Sequence, residues 1–394
     1  MDIHVLHVLN SAHGGSALST FELIEALKNR GVKSSLVCFN NASPEQEKSI
    51  SNLVEGRVLF IPLYWMNKKI RTAWWKRPII EGLSLWRTGR GHKHQDKILT
   101  LIKKEGVNIV HTSTILNPEG AIVAKKNGLP HVWHVRELIG PGMHFQFPYF
   151  YSWIQFVTRH SDYLIANSFV TLNKLQFFFE PTKLLAIPNG IRLDRFSVKE
   201  HREGNPIVIG MVGNVTSRLK NHEFFIQTVR LLGKNGFEFR IYGALPTADD
   251  PYYEHLQKNV QESGLKNILL FKGHYENPGE IMSEIDILFH PTSNESFGRI
   301  FIEAMASGIP IVAVNEGGAL EMVKDGINGF LVNADDTKLA SLKINQLAES
   351  PELRNIMGRS GRSLVEQRYS VDKLGDEMVM VYKRVLAERN KSVQ

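Results

Sequence analysis

The sequence predicts an α/β protein built from two βα domains of similar size, each a parallel sheet with helices on both faces. Two observations carry this. Short apolar β-runs alternate with helix-period stretches along most of the 394 residues. The alternation is interrupted by the polar stretch "FSVKEHREGNP" around 196–206, which reads as a linker, and then restarts.

In the first half, "DIHVLHVLN" (2–10) is a β-run, and "SALSTFELIEALKNRG" (16–31) has helical spacing and a glycine stop at Gly31. "SSLVCF" (34–39) and "RVLFIP" (57–62) read as strands. "ILTLIKKEGVNIVHT" (98–112) reads as a helix running into a strand. "LPHVWHV" (129–135), "DYLIANS" (162–168) and "LLAIPNG" (184–190) are buried strands. The second half begins with "PIVIGMVGN" (206–214). It continues with a helix over 221–235, a strand at 238–243, a helix at 251–263 and strands at 268–273 and 285–291. A helix at 299–307 and strands at 309–314 and 329–333 follow. A polar amphipathic helix closes the chain from about Val371.

Composition narrows the class. With 43% hydrophobic and 22% charged residues, the chain has the profile of a soluble globular protein. The start "MDIHVLHVLNSAHGG" carries no basic leader, and no apolar run approaches a membrane span. The single cysteine, Cys38, excludes an internal disulfide and a cysteine-built metal site, so a cytoplasmic location is expected. The net charge of +7 is concentrated. Between Tyr64 and Gln95 stand Lys68, Lys69, Arg71, Lys76, Arg77, Arg87, Arg90 and Lys93, against the single acid Glu81. Trp65, Trp74, Trp75 and Trp86 are interleaved with them. Tryptophan favours the membrane–water boundary, and basic residues favour anionic lipid. The pattern therefore suggests a surface for an anionic membrane within 64–95. A solvated basic loop over core tryptophans, or a groove for an acidic acceptor, would also produce it. No nucleic-acid-binding motif accompanies the charge, so no nucleic-acid partner is expected.

Three stretches carry chemistry. "NESFGRIFIEAMASGIP" (294–310) puts Glu295 in a loop after a strand and Glu303 inside the following helix, with Gly298 between them. Ligands of open α/β sheets bind beyond the carboxyl ends of strands, against helix N-termini. Two carboxylates placed this way can accept hydrogen bonds from different hydroxyls of one extended ligand. "NEGGALEMVKDGINGFLV" (315–332) sets Gly317 and Gly318 at the next strand-to-helix turn. "GMVGNVTSRLKNHEFF" (210–225) sets Arg218 and Lys220 beside the turn at Gly213, which suits a pyrophosphate. Taken singly, each is more often a tight turn, a surface charge or a solvated glutamate. Their succession on strand ends of one sheet favours a ligand site.

Glu295-(seven residues)-Glu303, followed by "EAMASGIPIVA" and "EGGALE", resembles the retaining glycosyltransferases of family 4. "HGGSALSTFELIEALKNRG" and "IPNGIRLDRF" extend the resemblance over nearly the whole chain. It implies the GT-B fold, two Rossmann-like domains facing each other across a cleft. The boundaries expected are 1–198 for the acceptor-side domain and 199–370 for the nucleotide-sugar domain. The closing helix, about 371–394, is expected to pack back on the first. The resemblance assigns Glu303 to the ribose hydroxyls, Glu295 to the donor sugar and Lys220 to the pyrophosphate. It sets Gly15 near the phosphates or acceptor and His134 facing the donor sugar. Gly213, Phe297 and Gly298 complete the expected donor site. Two departures stand out: Gly213 is followed by Asn214 where the family often has arginine, and Arg192 replaces an acid in the "NGI" motif. Arg218 is the candidate for the missing cation.

The expected activity is transfer of a sugar from a nucleotide diphosphate sugar to a hydroxyl of a glycan or lipid-linked acceptor, with retention, in surface polysaccharide synthesis. A uridine donor is expected from family habit. The nucleotide sugar is the substrate and no resident cofactor is expected. No Asp-x-Asp occurs, so no bridging metal is expected either. Association with the inner face of the cell membrane would suit a lipid-borne acceptor. The competing classes are a GT-B nucleotide-sugar 2-epimerase and a nucleotide-sugar-binding protein without activity.

Overall fold

Buried, β-branched strand runs set the frame of the molecule. The computed structural model describes residues 2–39, 42–61, 94–140, 150–204, 206–216, 218–233, 235–246 and 249–393. The basic, tryptophan-rich run at 64–93 lies outside them. The chain divides into two units, Met1–Gly190 with Val371–Gln394, and Ile191–Ser370. The division falls inside "IPNGIRLDRF".

In the first unit the described strands are β1 (His4–Leu9), β2 (Lys33–Phe39), β3 (Val58–Ile61), β4 (Ile109–Thr112), β5 (His131–Val135), β6 (Tyr163–Ala166) and β7 (Leu184–Ala186). They form one sheet in the order β3-β2-β1-β4-β5-β6-β7, and every pairing is parallel. Helices α1 (Gly15–Lys28), α2 (Pro44–Leu53), α3 (94–105), α4 (Glu119–Lys126), α5 (Phe150–Arg159) and α6 (Phe169–Leu175) belong to the same unit. The sheet direction switches between β1 and β4, so the loops after these two strands diverge and leave a crevice.

The second unit repeats the plan. Strands β8 (Ile207–Val212), β9 (Phe237–Tyr242), β10 (Leu269–Gly273), β11 (Ile287–His290), β12 (Ile311–Val314) and β13 (Gly329–Val332) run in the order β10-β9-β8-β11-β12-β13, all parallel. This is the doubly wound order, with its switch point between β8 and β11. Its helices are α7 (His222–Leu232), α8 (Pro251–Glu262), α9 (Pro278–Glu284), α10 (Arg299–Ala306), α11 (Ala319–Met322), α12 (Thr337–Ala348) and α13 (Pro351–Arg368). Period-two alternation along the strands fills two apolar layers. Ile207, Ile209, Met211, Ile287 and Phe289 pack with α7, α8 and α12 on one face. Val208, Leu288, Ile311 and Ala313 pack with α9, α10 and α11 on the other.

Helix α14 (Val371–Val393) closes the chain and belongs to the first unit. Leu374, Met378, Val381, Tyr382, Val385 and Leu386 recur at helical spacing and enter the layer formed by Val5, Leu23, Ile109, Val132 and Ile165. Each such burial is worth about 1.5–3 kcal/mol. Arg30, just beyond the end of α1, also pairs with Asp376 and Asp372, but both aspartates are solvent-exposed. The apolar stripe therefore holds the helix, and the ion pairs add little.

Candidate functional site

The site of the second unit grows from the ends of β8 and β11. After β8 the chain makes a tight turn: the Gly213 N–H donates to Tyr242 O at 2.8 Å, and the Ala244 N–H donates to Asn214 Oδ1 at 3.0 Å. A short helical turn, Arg218–Lys220, follows. Asn221, left-handed at φ 56°, then caps α7 by accepting from the Phe224 N–H. A Cβ on residue 213 would stand 2.8 Å from Lys220 Cγ. Glycine there lets the lysine stem lie across the strand end. Thr292, in the loop after β11, donates a long 3.4 Å hydrogen bond to Lys220 O and ties the two loops together.

The loop after β11 carries Glu295. Its carbonyl accepts from the Gly318 N–H at 2.8 Å, so the loop rests on the "EGG" turn after β12. A Cβ on Gly318 would lie 2.1 Å from Phe297 O, and one on Gly317 2.5 Å from Glu295 O. No side chain fits between these backbones. Gly298, at φ 80°, then caps the start of α10, where a Cβ would lie 2.5 Å from the Phe301 ring.

These loops bring Lys220 and Glu295 into a direct ion pair, both side chains mostly buried. His290, the last residue of β11, is 1% exposed, and its Nε2 lies 3.4 Å from Glu295 Oε1. Burial alone would raise the Glu295 carboxyl, but the Lys220 ammonium beside it outweighs that and holds it far below the usual carboxylate range. Glu303 lies one helix turn beyond Arg299 on α10; the Arg299 Nε–H donates to Glu303 Oε1 at 2.7 Å, with both side chains nearly buried. Each glutamate of the pair thus meets a cation. Arg218 takes a different place, with its guanidinium 4.9 Å from the centre of the Tyr252 ring. The Tyr252 hydroxyl is 3.3 Å from Glu223 and 3.4 Å from His222 Nδ1. The Phe297 side chain is buried in the apolar layer beneath α10, edge-on to Tyr369; what it presents to the glycine turn is backbone.

In the first unit, Gly15 opens α1 after the loop that follows β1, behind Gly14 at φ 88°. The Ser16 hydroxyl donates to Ser113 O at 3.2 Å, and the Thr20 hydroxyl to Ser113 Oγ at 3.0 Å. These bonds tie the start of α1 to the loop after β4, at the switch point of that sheet. His134 of β5 is fully buried and stacks on His111, with centroids 5.5 Å apart. Burial, with Arg136 nearby, pushes its pKa well below the ordinary histidine value, so the ring is neutral. Neither ring nitrogen has a hydrogen-bond partner among the described residues.

Sequence reasoning passed over His290 and Arg299. His290 was visible only as the end of a strand run, before Pro291. Arg299 stands four residues before Glu303, the spacing of a helical ion pair.

Residues 13–195 match the family described as Glycosyltransferase Family 4, and residues 194–364 match Glycosyl transferases group 1. Among curated proteins, the chain is 30% identical over 213 residues to the capsular polysaccharide biosynthesis glycosyltransferase CapM of Staphylococcus aureus. That match covers 51% of this chain and 54% of CapM, so the chain spans about half the length of that relative. It is 26% identical over 307 residues to an Escherichia coli UDP-Gal:alpha-D-GlcNAc-diphosphoundecaprenol alpha-1,3-galactosyltransferase, covering 72% and 76% of the two chains. Among solved structures, Anabaena HepE in complex with UDP and glucose superposes with a TM-score of 0.77 at 19% identity, covering 96% of this chain and 99% of that one. At that identity the likeness is one of fold, and the fold is GT-B.

Proposed function

Because the chain belongs to glycosyltransferase family 4, we propose that it transfers a sugar, with retention, from a nucleotide diphosphate sugar to a hydroxyl of a glycan or lipid-linked glycan. The observation that carries this reading is the Lys220–Glu295 ion pair at the switch point between β8 and β11, with Glu303 on the next helix. Lys220 supplies a positive charge where a pyrophosphate would lie. Glu295 and Glu303 supply acceptors for sugar and ribose hydroxyls. The donor is a uridine diphosphate sugar. This is supported by the UDP found with HepE and the UDP-Gal named for the E. coli relative. The product is a surface polysaccharide or glycoconjugate, in line with the names of CapM and the galactosyltransferase.

In this mechanism negative charge grows on the leaving diphosphate as the bond to the anomeric carbon breaks. Lys220, with the backbone amides at the α10 N-terminus, stabilises that charge. The leaving phosphate accepts the proton of the incoming hydroxyl, so no carboxylate need act as base. Glu295 and Glu303 are binding groups and differ in this from the acid–nucleophile pair of glycosidases. The substrate carries the chemistry, without a resident cofactor or metal.

The test is incubation with a panel of nucleotide sugars, with and without candidate acceptors, read by mass spectrometry. Transfer gives free nucleoside diphosphate and a heavier acceptor, only when the acceptor is present. An isomerised nucleotide sugar formed without acceptor would point to an epimerase. Bound but unchanged donor would point to a binding protein.

A further inference from the structure

The His290 imidazole has no evident reason to be where it is. It is almost wholly buried at the end of β11, edge-on to Phe301 with ring centroids 4.9 Å apart. Neither ring nitrogen forms a hydrogen bond among the described residues. Leaving such a group unsatisfied costs free energy that an apolar residue would avoid. Its nearest polar neighbour is Glu295 Oε1 at 3.4 Å, the same oxygen that Lys220 engages. The contact is long, and no hydrogen bond is formed across it. One carboxylate oxygen thus has a cation in place and a second donor held just out of reach.

The arrangement matters through the donor site, and its role rests on the assignment of that site to a nucleotide diphosphate sugar. Lys220 cannot give its full charge to Glu295 and to a diphosphate at once. When the donor binds, Glu295 remains a mostly buried carboxylate with a weakened counter-charge. We propose that His290 is the positioning residue that takes over: as the diphosphate draws Lys220 away, the imidazole binds one proton from solvent and donates an Nε2–H hydrogen bond to Glu295, keeping that carboxylate ionised and aimed at the sugar.

The charges around the ring fix the sign. Strand β12 pairs His290 with Ala313, and α10 faces it with Phe301, so neither neighbour titrates there. The charged groups acting on the ring are Glu295 and Lys220. Without ligand, burial keeps the imidazole below its ordinary value; Glu295 offsets part of this, and Lys220 opposes the offset. A bound diphosphate adds negative charge and neutralises Lys220, and both changes make the imidazole more basic. Proton uptake must then accompany donor binding, and binding must tighten as pH falls.

The test is calorimetry of uridine, adenosine and guanosine diphosphates binding to the full chain, in buffers of different ionisation enthalpy, from about pH 8 to about pH 6, around the ordinary histidine value. Compared are wild type, His290→Gln and Glu295→Gln. Wild type should take up as much as about one proton more per nucleotide bound than either variant, and the steepening of affinity toward low pH should be lost in both. Glu295→Gln removes the carboxylate without touching the buried ring, so the test stands even if His290→Gln fails to fold. Equal proton counts in wild type and Glu295→Gln would overturn this role for His290 and leave the donor site intact. Binding of none of the three nucleotides to wild type would overturn the donor site, and the role of His290 with it.

Discussion

Lys220 is the residue on which the proposed chemistry depends most. Its ammonium already faces a carboxylate, so a diphosphate must compete with Glu295 for it. Lys220→Ala should lower kcat more than it raises KM, because the charge it meets grows in the transition state. Steady-state kinetics check this, and an effect confined to KM would assign Lys220 to ground-state binding alone. The sequence placed Lys220, Glu295 and Glu303 in one site because each follows a strand run at a recognisable turn. It could not show that each glutamate has its own cation. The Lys220–Glu295 pair spans 75 residues and exists only because β8 and β11 are neighbours in the sheet. His290 was missed for a similar reason: its meaning comes from Glu295 and Phe301 and not from its place in the apolar run "IDILFHP".

At the scale of elements, the strands were legible and several helices were not. Buried parallel strands announce themselves as apolar runs. Helices α12 and α13 escaped notice although Asp336 and Ser350 cap them through the Leu339 and Leu353 N–H groups, and Pro351 opens the second. In α13 the obstacle is Gly358 and Gly361, poor helix formers. Packing dictates them: a Cβ at 358 would lie 2.1 Å from Gly308 O, and one at 361 would lie 3.0 Å from Met305 Cγ. The same close approach governs the turn beneath Glu295. Gly318→Ala should push the Glu295–Gly298 loop off its seat and cut kcat/KM at least about tenfold, a loss of about 1.4 kcal/mol. Unchanged kinetics in a folded variant would show that the loop position does not matter. For α14, Met378→Ala should cost about 2–5 kcal/mol, because it opens a cavity against the sheet. Thermal or denaturant unfolding measures it, and a loss below about 0.5 kcal/mol would mean that the apolar stripe does not hold this helix.

For the whole molecule, the alternation of strand and helix marked out both units, but the division falls after Gly190 and not at the expected 198/199, and the polar stretch 196–206 lies inside the second unit, where Lys199 and His201 bond to Ser307 and Asn355. Among the described residues no helix is long and apolar enough to cross a membrane. Membrane contact through 64–95 is proposed as peripheral, and it follows from charge and tryptophan content alone. Liposome flotation should show binding that needs anionic lipid, weakens with salt and falls when Lys68, Lys69, Arg71, Lys76 and Arg77 become Ser. Equal recovery with neutral and anionic vesicles would leave the segment as an acceptor groove or a solvated face.

The proposed function stands or falls with the donor site at the ends of β8 and β11 and the start of α10. Calorimetry of uridine diphosphate against the full-length wild type and Glu303→Ala probes that site directly. In the proposed site Glu303 accepts from the ribose hydroxyls, and a charged hydrogen bond contributes about 1.5–3 kcal/mol, so the variant should bind roughly ten- to a hundredfold more weakly. Wild-type binding that is unchanged in Glu303→Ala would place the nucleotide elsewhere and refute the donor site.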